Sequence, residues 1–109
     1  MKLRALAVLL TCAIAMPVGA QQASDVTEAQ IAEYKQTAET ACRDGGKKQG
    51  DPQAKVDAFC GCMIETLNKS MTPADWRQVV LYSRNKQARE EVQALTPHLK
   101  NIEVCRPNT

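Results

Sequence analysis

Four cysteines, Cys42, Cys60, Cys62 and Cys105, constrain this chain more than any other feature of its sequence. A fifth, Cys12, sits inside an apolar N-terminal run and leaves with it if that run is an export signal. An even number of cysteines in a short exported chain reads as two disulfides. The need is physical, because a domain of this size buries only about 60 to 65% of the surface its unfolded chain exposes and lies close to marginal stability. Of the three possible connectivities, Cys60 with Cys62 is disfavoured, since the single intervening Gly61 forces a tight ring. The other two tie both outer cysteines to the central pair. Closing about 20 residues between Cys42 and Cys62 contributes roughly 3 kcal/mol, and closing about 45 between Cys60 and Cys105 roughly 4, on the chain-entropy account. The expectation is therefore Cys42 with Cys62 and Cys60 with Cys105, the swapped pairing lying close in energy.

Met1 to Arg4 is a short positive segment, Ala5 to Met16 an apolar stretch, and Pro17 breaks it before the small or branched residues Val18, Gly19 and Ala20. The apolar stretch is shorter than the roughly 20 residues of a membrane span and suits a secretory signal cleaved between Ala20 and Gln21. Acylation on Cys12 would require a small residue where Thr11 stands. The expected organisation is a signal over residues 1–20, a flexible tail over 21–25, one helical domain over 26–105 and a polar tail over 106–109. The expected location is the periplasm or beyond the cell. Without Lys2 and Arg4, the 14 basic residues become 12 and balance the 12 acidic ones. That neutrality argues against a nucleic-acid partner and against membrane attachment or insertion of the mature chain.

Local signals point to an all-α fold, a small bundle of four to five short helices stapled by two disulfides. Thr27 and Gln30 form a capping box ahead of Ile31, Tyr34, Ala38 and Ala41, and Gly45 with Gly46 supplies a helix end. Asp51 followed by Pro52 reads as the cap of a second helix, whose stripe is Val56, Phe59, Cys60, Met63 and Leu67. Cys62 points well away from that stripe, so two bridges should diverge from this helix, one to the preceding helix and one to the chain's end. Thr72, Pro73 and Asp75 start a third helix bearing Trp76, Val79 and Val80. From Ala88, the apolar positions Val92, Leu95, Leu99 and Ile102 keep helical period across Pro97. A break there, with Thr96 capping a short last helix, costs less than a kink and is the expectation.

Few residues suggest chemistry. Cys60 and Cys62 invite a thiol-redox or copper-handling reading, with Met63, Met71 and His98 as further soft ligands. Two mid-helix cysteines lack the strand-to-helix setting that lowers a thiol pKa, and the spacing is not that of a zinc finger. Ser24, Ser70 and Ser83 have only His98 as a possible base and no nucleophile-elbow sequence. Asp57 with Glu65, and Glu90 with Glu91, read as solvated helix faces. No cofactor, metal site or catalytic residue is assigned.

The leading expectation is a non-catalytic protein-binding module, an adaptor, inhibitor or immunity-type protein, with another exported protein as partner. A chaperone exposing apolar helix faces is a further possibility, although one histidine is little for an acid switch. Candidate partner contacts are Trp76, Tyr82, Arg84 and Arg89, since aromatics and arginines dominate interface energies once buried. Trp76, four residues into a capped helix, reads first as a core residue and serves as a partner anchor only if exposed. The basic cluster of Arg84, Lys86 and Arg89 beside Glu90 and Glu91 is equally a salt-bridged surface.

Overall fold

The structure, a computed structural model, describes residues 22–106. The expected export signal with Cys12, its expected cleavage site between Ala20 and Gln21, and residues 107–109 lie outside the described residues. Within them the chain is all-α, with four α-helices and two disulfides. The helices are α1 (Glu28–Lys48), α2 (Gln53–Ser70), α3 (Pro73–Arg84) and α4 (Ala88–Leu99), with short 3-10 segments at Ala23–Asp25 and Lys100–Cys105. Two antiparallel hairpins, α1–α2 and α3–α4, pack through α1 against α3 and, less closely, α2 against α4. The second 3-10 segment returns along α2.

The expected capping boxes form at α1 and α3. Thr27 Oγ1 accepts from the Gln30 N–H while Gln30 Oε1 accepts from the Thr27 N–H, and Thr72 and Asp75 repeat the exchange. Within residues 21–25, expected as a flexible tail, Ala23–Asp25 form a 3-10 turn: Asp25 Oδ2 accepts from the Gln22 N–H, and Ala23 and Val26 pack on α3 and the core.

The end of α1 differs from the expectation and explains its glycines. The helix runs through Gly45 and Gly46 to Lys48 and closes at Gly50, whose φ of +81° is the left-handed conformation. The Gly50 N–H bonds the Lys47 carbonyl and the Asp51 N–H bonds the Gly46 carbonyl, the paired bonds of a Schellman motif. Gly46 serves packing instead: a Cβ there would lie 2.7 Å from Val56 Cγ2, so its absence lets α1 and α2 approach. Asp51 does not cap α2, which starts after Pro52 with no side-chain cap. The chain at Asp51 is already committed to closing α1.

Pro97 lies inside α4, and the expected break is absent. Thr96 Oγ1 donates to the Val92 carbonyl, one turn back in the same helix, and caps no new one. Pro97 lacks only the N–H that would bond Gln93, a residue exposed to water, and α4 then tightens directly into the 3-10 segment.

The disulfides join Cys42 to Cys60 and Cys62 to Cys105, with Cα separations of 5.8 and 5.7 Å. Two bridges do diverge from α2, one to α1 and one to the chain's end, but the expected assignment of sulfurs is reversed. The stripe of Val56, Cys60 and Leu67 that turns inward also faces α1, so Cys60 meets Cys42. Cys62 lies on the flank where the last segment returns, and Thr66 Oγ1 sits 3.4 Å from Cys105 Sγ and 3.8 Å from Cys62 Sγ.

The core is one cluster: Val26, Ile31, Leu67, Met71, Trp76, Val79, Val80 and Leu81. Val56 and Cys60 are equally buried but stand outside it, toward the far end of the α1–α2 hairpin.

Candidate binding cleft

Because the backbones of α1 and α4 do not pack against each other, a cleft of about 800 Å³ opens between the hairpins. Met63, Ile64 and Leu67 of α2 and Trp76 and Val80 of α3 contribute to its lining, as do Ala38 and Ala41 on the α1 side and Leu95 and Leu99 on the α4 side. Leu99 is 38% exposed. Such a surface is short of partners in the isolated chain.

One polar strut crosses the cleft. Tyr34 Oη of α1 donates to Glu91 Oε2 of α4 at 2.5 Å, across 57 residues of sequence. Burial, helped by the hydrogen bond and the negative charge of Glu91, pushes the Tyr34 hydroxyl well above the ordinary tyrosine range, so it stays protonated as a donor. The Tyr34 ring meets Trp76 edge-on, with centroids 6.3 Å apart, and Lys35 Nζ lies 4.6 Å from the centre of the Trp76 ring.

The candidate contact residues separate. Trp76 is only 4% exposed, so it belongs to the core and offers the cleft a wall rather than a projecting anchor. Tyr82 is half-buried. Arg84 is exposed and lines the cleft, whereas Arg89 is exposed on α4 away from the lining. Ser83 also lines the cleft. Tyr34 and Glu91 form a cross-cleft pair that sequence reasoning missed, for each looked like an ordinary helix residue and nothing local signals a contact over that separation.

Cys60 and Cys62 do not form a dithiol, since each sulfur is bonded to a different partner, and Cys60 is 1% exposed. Met71 is in the core and Met63 lines the cleft. Among the described residues no three His, Cys, Asp or Glu side chains converge as metal ligands, and no helix is long and apolar enough to cross a membrane. Asp57 pairs with Arg43 and Gln53, and Glu65 with Lys69, on exposed faces where such pairs contribute little.

One constellation set aside in the sequence does assemble. Ser70 Oγ and His98 Nδ1 are hydrogen-bonded at 2.6 Å, Asn101 Nδ2 donates to Ser70 Oγ at 3.0 Å, and Asp75 Oδ2 lies 3.9 Å from His98 Nε2. The Asp75 carboxylate is already an acceptor for the Thr72 N–H and is too far to orient the imidazole. Neither Ser70 nor His98 lines the cleft. The arrangement is a polar clasp tying the end of α2 to α4 and to the 3-10 segment. Compared with protein-family models, with curated proteins and with solved structures, the chain matches none.

Proposed function

We propose that this chain is a non-catalytic binding module of an oxidising, exported compartment, whose cleft receives an apolar helical segment of a partner protein. The observation that carries this reading is the separation of α1 and α4, which leaves Ile64, Leu95 and Leu99 lining a groove between two hairpins. Leu95 and Leu99 stand one turn apart on α4, so they offer the ridge that an amphipathic helix with apolar residues at i, i+3 or i+4 and i+7 would match. Both disulfides support the same reading, for they hold α2 to its neighbours on both sides and lower the ordering cost of binding.

The test is site-specific photo-crosslinking in the producing cells. A photoreactive residue replacing Ile64, inside the cleft, should give a discrete protein adduct that Leu95→Glu suppresses. The same group replacing Glu65, on the exposed side of α2, should not. Equal adducts from both positions, or none from Ile64, would remove the cleft as a protein-binding site.

A further inference from the structure

The bridges pair the four described cysteines in their order along the chain, Cys42 with Cys60 and Cys62 with Cys105. We propose that the α1–α2 hairpin is the template for this pairing, so that a disulfide-donating oxidant alone completes the protein, Cys42–Cys60 first and Cys62–Cys105 second. The chain is then a client of a thiol oxidase and not of a disulfide isomerase. This inference is independent of the cleft and of its occupant.

Chain entropy alone does not select the first bridge. Cys42 is 18 residues from Cys60 and two further from Cys62, and closure entropy grows only with the logarithm of loop length. The selection must come from helix geometry. At 3.6 residues per turn, positions two apart point about 200° away from each other, so a formed α2 can show only one of Cys60 and Cys62 to α1. The close approach of Gly46 to Val56 and the turn at Gly50 set the hairpin so that this one is Cys60. All of these features lie between residues 42 and 60, and none requires Cys105.

Once the first bridge closes, it resists reshuffling. Cys60 is 1% exposed and Cys62 points to the opposite flank, so the Cys62 thiolate has no line of attack on the sulfur beside it. Only Cys105 remains for it. Each bridge forms by the same two exchanges. A cysteine thiolate attacks the oxidant's disulfide, giving a mixed disulfide and releasing one oxidant thiolate. The second cysteine thiolate then attacks the chain's sulfur in the mixed disulfide and releases the other. Two electrons and two protons pass to the oxidant per bridge, so the four thiols consume two oxidant disulfides and yield two dithiols.

The experiment is oxidation of the fully reduced protein with a small disulfide such as oxidised glutathione, quenched at intervals by acid, alkylated and mapped by fragment-ion sequencing of the linked peptides, because only Gly61 separates Cys60 from Cys62 and their two linkages to Cys42 have the same mass. Cys42–Cys60 should exceed Cys42–Cys62 at least several-fold among one-disulfide species, and added protein disulfide isomerase should leave the native yield unchanged. A majority of Cys42–Cys62 or Cys60–Cys105, or a yield that rises with isomerase, would overturn the proposal. Repeated in denaturant that melts the helices, the ratio of Cys42–Cys60 to Cys42–Cys62 should fall to near one. A preference that survived there would show that the hairpin is not the template.

Discussion

The two hairpins are held by different means. In α3 four of 12 residues, Trp76, Val79, Val80 and Leu81, are buried in the common core, and they carry α4, which buries none of its own fully. The α1–α2 hairpin contributes Ile31, Leu67 and Met71 near its base, but toward its far end only Val56 and Cys60 are buried, outside that core. There, a covalent bond and the absence of a side chain at Gly46 replace apolar burial. The Cys42–Cys60 disulfide stands where the hydrophobic core runs out, which is where a domain this small needs it.

The largest effect should come from the core that both hairpins share. Trp76→Ala removes a side chain touching α1 through Tyr34 and Lys35, and such truncations cost about 3–5 kcal/mol. That is a large fraction of the stability of a domain this size, so urea melts should lose most of their native baseline and α1 should melt together with α3. Paired Cys42→Ala and Cys60→Ala substitution should cost about 3 kcal/mol by the loop-closure argument, but with a different distribution. Hydrogen exchange should rise around Ala41 to Val56 while the amides from Trp76 to Leu81 stay protected. Equal loss of protection in both regions would mean that the far end of the first hairpin belongs to the common core after all.

These contrasts mark what the sequence made legible. Helix starts were readable at Thr27 and Thr72 because a capping box is a local exchange between residues three apart. The glycines of α1 misled for the opposite reason: Gly46 answers to Val56 on another helix, so its role is invisible until the helices pack. Pro97 misled because the carbonyl left without its N–H belongs to an exposed residue, Gln93, and exposure is set by the fold. The divergence of two bridges from α2 was legible from helical phase, but which sulfur met which partner depended on the side from which α1 and the last segment approach. The cleft is legible only as period: Leu95 and Leu99 fall on a helical stripe, while the Tyr34–Glu91 strut that spans it depends on tertiary placement alone.

That strut ties the first and last helices across the cleft, and it gives an intermediate effect. Tyr34→Phe should cost about 1 kcal/mol, the usual net value of a hydrogen bond. Because the Tyr34 hydroxyl is held above its ordinary range, its contribution is fully present below the unfolded tyrosine pKa of about 10 and is lost as pH rises past it. Urea melts at a series of pH values from about 9 to 11 should therefore fall more steeply for the native chain than for Tyr34→Phe. Parallel slopes would mean that Tyr34 titrates as freely in the folded chain as in the unfolded one.

The smallest effect is the one that compares the hairpins most directly, because both close α-helices in the same way. After α1 the left-handed position is Gly50, and after α3 it is Lys86, with φ of +59°. The bonds match as well: the Lys86 N–H reaches the Ser83 carbonyl and the Gln87 N–H the Tyr82 carbonyl, as the Gly50 and Asp51 N–H groups reach Lys47 and Gly46. Glycine occupies this conformation without the Cβ crowding that lysine suffers, so Lys86→Gly should stabilise by about 0.5–1 kcal/mol, and Gly50→Ala should destabilise by a similar amount. Thermal melts of the two variants should thus move in opposite directions, by a few degrees each. If Lys86→Gly lowered the melting temperature instead, the lysine side chain would have to contribute more to the α3–α4 turn than its backbone strain costs, and the second hairpin would owe part of its stability to its connection rather than to the core alone.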